Sequence, residues 1–414
     1  MRTIHTILSI NDVHSHVDAS CELWRELDGA RNDQTLVCDA GDFFEGTLFY
    51  QQFGGLPELQ LMDELVDFAC PGNHGFGLLR TYAFTSCKVL CLNVLDGLGR
   101  PQFQPDCLFE TPMGVFALTG VLSQQAFETI PVQERESLSC TDHIEALEAW
   151  LGQLPDKVEG VVVMSHTGLL EDVSQMPEHP ALKLVLSAHC HRSTHLQRRD
   201  ALWCVKAPHH GRGYARVELS PEGIHPHVVK LEHDAPISRL PEGLGALRET
   251  LELHRRSADR VLGHWDGAQA TPKRAWVARE LLRVGLEHGP SIVDVGVLNA
   301  TCMRRVVPAG RVLAKTLGEM FPFGNTLVYG RLCKEGYDAA LEQIRGIMPG
   351  HVLEAWRAPT RAGSDVWVLT TSHLWANVFE THGGQTSAQW MSVRQCFLKH
   401  MVSSPTEHTK ELQN

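Results

Sequence analysis

Short apolar runs, rich in β-branched and aliphatic residues, recur through the first half of the chain at Ile4–Ile10, Leu36–Cys38, Val66–Cys70, Val161–Met164 and Leu184–Leu186. Runs this short and this uniformly apolar fit strands buried on both faces of a parallel sheet. Longer stretches with helical spacing lie between them. Ala19–Leu27 is one, and Asp142–Leu154 is another, with Ile144, Leu147, Trp150, Leu151 and Leu154 as its apolar positions. Strand and helix therefore alternate, which predicts a layered α/β fold.

Each predicted strand runs directly into polar residues of ligand type: Asp12-Val13-His14, Gly41-Asp42, Gly72-Asn73-His74, Ser165-His166 and His189-Cys190-His191. In an open α/β sheet, ligands gather beyond the carboxyl ends of the strands, so these endings can converge on one point. Residues two apart on extended chain share a face, which puts Asp12 and His14 side by side. A carboxylate with an imidazole suits zinc, manganese or iron. Asp42 has two oxygens and could bridge two ions, which in hydrolytic sites sit about 3.5 to 4 Å apart. Asn73, His166 and His189 would complete the second ion's shell, and His191 the first's. Taken alone, an Asp-x-His in a chain with 23 histidines reads as a surface or turn pair, and a Gly-Asn-His as a turn. The ordered set is what points to a dinuclear site.

These residues lie in the strings ILSINDVHSHVD, CDAGDFFEGTLFY, CPGNHGFG, LCLNV, VMSHTGLLEDV and SAHCHRSTH. In that order they resemble the motif set of the 5′-nucleotidase branch of the calcineurin-like metallophosphoesterases. The later string VGVLNATCMRRVVPAGRVLAKTLGEMFPFGNTLVYGRL resembles the C-terminal substrate-binding domain of the same enzymes. The resemblance implies a four-layer metallophosphoesterase α/β sandwich over residues 1–235 and a smaller α/β substrate-binding domain over 261–402. A linker helix over 236–260 would join them, where Leu244, Leu247, Leu251 and Leu253 recur among Glu and Arg, and domain motion about it would bring substrate to the metals. Residues 403–414 would form a loose polar tail.

Residue by residue, the resemblance implies that Asp12, His14, Asp42 and His191 hold one divalent ion, and that Asp42, Asn73, His166 and His189 hold the other. His74 would face the scissile phosphate. The implied chemistry is in-line attack by a metal-bridging hydroxide, because coordination lowers the pKa of water from 15.7 towards roughly 7. His74 would donate to the phosphoryl oxygens or protonate the leaving alkoxide, worth about 10² to 10⁴-fold.

The chain also departs from the pattern. Relatives read Gly-Asn-His-Glu-Phe-Asp, the last Asp orienting the catalytic His; here Gly77 takes that place. Glu45 and the His209-His210 pair are the candidates to replace it. The glycine-rich Asn-Gly-Gly-Gly-Ile-Arg of relatives appears as Asn299-Ala300-Thr301-Cys302-Met303-Arg304, which fills space that glycine leaves open for a ligand. Arg304 keeps a planar fork for a phosphate or terminal oxygen. Phe323 and Asn325 match residues that stack on and hydrogen-bond to a nucleobase. The second ring of that clamp is either replaced by Leu374 or supplied by Trp375.

Composition narrows the picture further. At 414 residues the chain exceeds one typical core, and two domains are expected. A net charge of −12 with no block of Lys and Arg argues against a nucleic-acid duplex or a membrane surface as partner. A small phosphate ester remains compatible, because two divalent cations would dominate the local field. Met1-Arg2-Thr3 runs straight into the first predicted strand, and the 12 cysteines include no Cys-x-x-Cys pair. Free thiols in a reducing cytoplasm are expected, or a periplasmic or secreted protein if a leader was removed. Cys190 should point away from its neighbours His189 and His191. The expected activity is a metal-dependent phosphomonoesterase acting on a nucleoside 5′-monophosphate or a similar ester. The alternatives are a sugar-phosphate phosphatase or cyclic-nucleotide phosphodiesterase on the same platform, and a catalytically weakened metal- and ligand-binding protein.

Overall fold

The computed structural model describes residues 3–232, 235–265, 273–304, 306, 310–357 and 365–402; the tail expected over 403–414 lies outside them. Two compact units divide the chain: Met1–Glu45 with Phe49–His254, and Gly46–Leu48 with Arg255–Asn414. The division falls inside the helix Gly245–Ala258.

In the first unit two six-stranded sheets face each other. One runs in the order Gly223–Lys230, Gly213–Ser220, Thr6–Ile10, Thr35–Asp39, Phe68–Ala69, Lys88–Val89. Its centre is parallel, with Ile10 opposite Asp39 and Asp39 opposite Ala69. The other runs Leu196–Arg199, Leu202–Val205, Leu182–Ser187, Val158–His166, Gly114–Leu122, Asp106–Thr111. It aligns Ser187 with Ser165 and His166 with Leu122.

Between the sheets, Ile7, Leu36, Cys38 and Val217 pack with Leu118, Val162, Met164, Leu184 and Leu186. Outside the first sheet, Leu8, Ile10 and Val37 meet Leu23, Trp24 and Leu27 of helix Cys21–Ala30 and Leu59 and Met62 of helix Leu56–Leu65. Outside the second, Val161, Val163 and Val185 meet Leu147 and Leu151 of helix His143–Leu151 and Leu169 of helix Leu169–Gln175. The expected helix, sheet, sheet, helix layering is therefore present, and both faces of the parallel strands are covered, which is why they read as unbroken apolar runs.

The expected elements are there with shifted ends. Val66–Cys70 contributes only the strand Phe68–Ala69. Asp142 caps rather than joins its helix, accepting from the N–H groups of Ile144 and Glu145 at 2.9 and 3.0 Å, the usual role of Asp at that position.

The second unit is built on the five-stranded order Val352–Trp356, Val295–Asn299, Asp365–Thr371, Thr326–Cys333, Gln385–Ser392. One face of this sheet is covered by helices Arg274–His288 and Val393–Met401, the other by helix Lys334–Ile347 and the segment around Trp375 and Phe379. None of the twelve cysteines is in a disulfide. Among the described residues, no helix is long and apolar enough to cross a membrane.

Candidate metal centre

The strand Thr6–Ile10 stops before Asp12, so the alternation of extended chain does not place Asp12 and His14. The loop conformation does. Asp12 and His14 take φ of 49° and 50°, and Asp42, Glu45 and His189 take 58°, 62° and 71°. A left-handed backbone at residues bearing a Cβ costs about 1 to 3 kcal/mol each, and persists only where the surroundings over-determine it. Here two loops are stitched together: the N–H groups of Asp12, His14 and Ser15 donate to the carbonyls of Gly41, Asp42 and Phe43 at 2.9, 3.0 and 2.8 Å.

Glycine makes the stitching compact. A Cβ on Gly72 would stand 2.1 Å from Asp42 Oδ1, and one on Gly41, whose φ is 108°, would stand 2.5 Å from His166 Nδ1.

The side chains converge in two groups that share Asp42. In the first, His14 Nε2 lies 3.1 Å from His191 Nε2, 3.6 Å from Asp42 Oδ2 and 4.0 Å from Asp12 Oδ1, and His191 Nε2 lies 3.5 Å from Asp12 Oδ1. In the second, His166 Nε2 lies 3.4 Å from Asp42 Oδ1, 3.3 Å from Asn73 Oδ1 and 3.2 Å from His189 Nδ1. Each oxygen of Asp42 thus faces one group. Two ligand atoms held about 2.1 Å from a common ion at tetrahedral angles are about 3.4 Å apart. The observed spacings match that figure, and the donors are the nitrogen and oxygen set that suits zinc, manganese or iron. Every ligand named from the sequence is brought to this place.

Other groups hold these ligands in position. His166 Nδ1 is 3.0 Å from the Ala40 carbonyl. Asn11 donates from Nδ2 to Asp12 Oδ2 at 2.6 Å and accepts from the Ala207 N–H at 2.7 Å. Lys206, fully buried, donates from Nζ to the carbonyls of Cys190 and Arg192 at 2.5 and 2.6 Å. Gln125 Oε1 is 3.1 Å from His189 Nε2. Asn11 adjoins the first motif and could have been noticed there; Lys206 and Gln125 carry no local signal. Cys190 turns away from its neighbours, its sulfur accepting the Leu169 N–H at 3.3 Å.

His74 is joined to this cluster by its N–H, which donates to Asp42 Oδ1 at 2.8 Å, and its ring lies 5.0 Å from that of His14. Of the two candidates to replace an Asp at position 77, Glu45 is the one that reaches it, Oε2 lying 2.9 Å from His74 Nδ1. His209 and His210 instead pack on His191, with ring centroids 4.8 and 5.2 Å away.

A family comparison decides what this cluster belongs to: residues 5–193 match the model of the Calcineurin-like phosphoesterase family. The chain carries a calcineurin-like phosphoesterase domain.

Curated relatives of this chain include the trifunctional nucleotide phosphoesterase protein YfkN of Bacillus subtilis (strain 168), 31% identical over 74 residues, 17% of this chain and 5% of that protein. The uncharacterized metallophosphoesterase YunD of the same organism is 24% identical over 271 residues. That match covers 60% of this chain and 56% of YunD, so the chain spans about half of that relative or less in each case. The crystal structure of the 5′-nucleotidase precursor from Thermus thermophilus has the same two-domain fold, with a TM-score of 0.74 at 18% identity over 96% of both chains.

Within the calcineurin-like phosphoesterase domain, the charges sort by burial and proximity. Burial would raise the Asp42 carboxyl, but the imidazoles of His166, His74 and His189 hold it well below the ordinary carboxylate range. His166, whose burial alone would lower it, is pushed up to about 9 by the charge and hydrogen bond of Asp42. His189 is pushed down to about 4, by burial and by the neighbouring His166. A buried carboxylate beside imidazoles thus stays ionised.

In the second unit the guanidinium of Arg304 lies 5.8 Å from the centroid of the Phe323 ring, which brings two of the expected substrate-binding residues together. Asn325 is half-buried, and its backbone carbonyl accepts the Val393 N–H at 3.0 Å. Trp375 and Leu374 lie elsewhere than expected. Both belong to the core under the sheet, at 3% and 1% exposure, with Trp375 stacked on Phe379 at 5.7 Å. The chain there is helical from Ser372 to Phe379 and turns its apolar side onto the sheet, so neither residue presents a face to a ligand.

Proposed function

We propose that this protein is a two-metal phosphomonoesterase that releases phosphate from a nucleoside 5′-monophosphate or a similar small ester. The observation that carries the reading is the convergence of Asp12, His14, Asp42, Asn73, His166, His189 and His191 in two groups spaced like the ligands of two ions and joined through Asp42. When bound, two divalent ions would activate water and clamp the phosphoryl oxygens.

The protein's own groups do the rest. Asp42 keeps the two ligand groups in register while its Oδ1 fixes the His74 backbone. His74 offers a ring nitrogen to the phosphoryl oxygens or the leaving oxygen. Asp12 would join His14 and His191 in holding one ion, and Asn73 would join His166 and His189 in holding the other. Arg304, Phe323 and Asn325 are the proposed contacts to the organic part of the substrate.

A second reading has its own observation. Trp375, expected as the second ring of a base clamp, lies in the core, and the pairing of Arg304 with Phe323 suits a sugar phosphate or a cyclic nucleotide as well as a base. Phosphate release from nucleoside monophosphates and sugar phosphates, together with conversion of cyclic nucleotides to nucleoside monophosphates, in the presence of Mn²⁺ decides between them. Preference for nucleoside 5′-monophosphates supports the first reading, preference for the others the second, and silence across the panel contradicts both.

A further inference from the structure

His74 is held by a carboxylate that comes from a different loop rather than from its own turn. Glu45 reaches it with both oxygens: Oε2 is 2.9 Å from His74 Nδ1, and Oε1 accepts the N–H of Gly75 at 2.9 Å. One side chain thus grips both the ring and the backbone of the turn, which fixes the ring plane. With Nδ1 engaged, Nε2 is the nitrogen turned to chemistry, and His74 offers a ligand atom within 4.8 Å of those of His14 and Asp42.

The place where the resemblance puts an orienting Asp lies against another carboxylate, which would have to shift to admit one. A Cβ on Gly77 would stand 2.9 Å from Glu134 Oε2, which already accepts the Gly77 N–H at 2.7 Å. A carboxylate added there would meet another carboxylate before it met the imidazole.

Glu45 also sits three residues after Asp42, on the same loop, with a left-handed φ of 62°. That loop therefore fixes His74 at the backbone through Asp42 and at the ring through Glu45. Strain of this kind is retained where the local geometry is over-determined.

We propose that Glu45 is the positioning residue of His74, a carboxylate relocated from the turn of His74 to the loop of Asp42, accepting the imidazole Nδ1–H so that the ring turns Nε2 to the reacting phosphate. This rests on the phosphatase reading for its catalytic meaning, but the bond from Nδ1–H to the carboxylate can be measured without activity.

The test is Glu45→Gln in the zinc-loaded protein, with the His74 signals assigned through His74→Asn. Imidazole ¹H and ¹⁵N signals should show a slowly exchanging Nδ1–H in the unsubstituted protein that exchanges faster in Glu45→Gln, with zinc content unchanged. With Mn²⁺ and adenosine 5′-monophosphate, kcat should fall by about 10²-fold or more, as for a wrongly held catalytic imidazole, while KM stays the same. Gly77→Asp should bring no gain in kcat.

An identical Nδ1–H signal in both proteins, a full kcat in Glu45→Gln, or a faster Gly77→Asp enzyme would each overturn the proposal. So would loss of zinc together with kcat, which would make Glu45 a support of the metal loop alone. An unsubstituted protein that hydrolyses nothing while the Nδ1–H signal responds as expected would sink the phosphatase reading and leave the role of Glu45 standing.

Discussion

The ammonium of Lys206 is buried beneath the loop of His189 and His191 and donates to the carbonyl of Cys190, the residue between them. A second bond to the Arg192 carbonyl closes the clamp. The loop that delivers one nitrogen to each ligand group is therefore set by a charged group that touches neither. Lys206→Met keeps the volume and removes the donors. It should weaken metal binding by about 10 to 100-fold, the usual effect of losing a group that orients a ligand. Competition with a chelator measures this, and an unchanged metal affinity would remove Lys206 from the account.

Glu58 supplies a stability test away from the ligands. It lies on helix Leu56–Leu65, fully buried, and burial pushes its carboxyl up to about 7 from an ordinary 4.5. Between those values the folded protein keeps a proton that the unfolded chain has released, so stability falls as pH rises. The loss is absent below about pH 4.5 and complete above pH 7, and it amounts to roughly 3 kcal/mol. Glu58→Gln should flatten that decline and raise the melting temperature at pH 8 while leaving it nearly unchanged at pH 4. Parallel pH profiles for the two proteins would contradict the assignment.

Phe323 and Trp375 should separate recognition from packing. Phe323 is half-buried beside Arg304, so Phe323→Leu should raise KM for nucleoside monophosphates with little change in melting temperature. Trp375 lies in the core, and Trp375→Ala should destabilise by about 3 to 5 kcal/mol, as for other large core truncations. Equal effects of Phe323→Leu on KM for nucleotides and for sugar phosphates would show that the ring does not read a base.

The layered fold is legible in the sequence because buried parallel strands announce themselves as short apolar runs, and Val161–Met164 and Leu184–Leu186 fall in neighbouring strands as expected. The candidate ligands are legible because each follows such a run. Alternation along a strand is nevertheless not what brings Asp12 and His14 together, since left-handed loop conformations place them and no periodicity encodes those. Glu45 is a candidate from its position near Asp42, but only the folded loop shows that it, and not His209 or His210, meets His74. Trp375 misleads because an aromatic residue near a Gly-Gly looks the same in sequence whether it faces a ligand or the core. Lys206 and Gln125 are silent, each acting across a long stretch of chain.

The central claim is that Asp42 stands between two ions. Crystals grown with Mn²⁺ and measured at the manganese absorption edge test it most directly. The account predicts two anomalous peaks about 3.5 to 4 Å apart, one beside Asp42 Oδ2 and His14, the other beside Asp42 Oδ1 and His166, with both weakened in Asp42→Ala. A single peak, or two peaks that survive in Asp42→Ala, would contradict it.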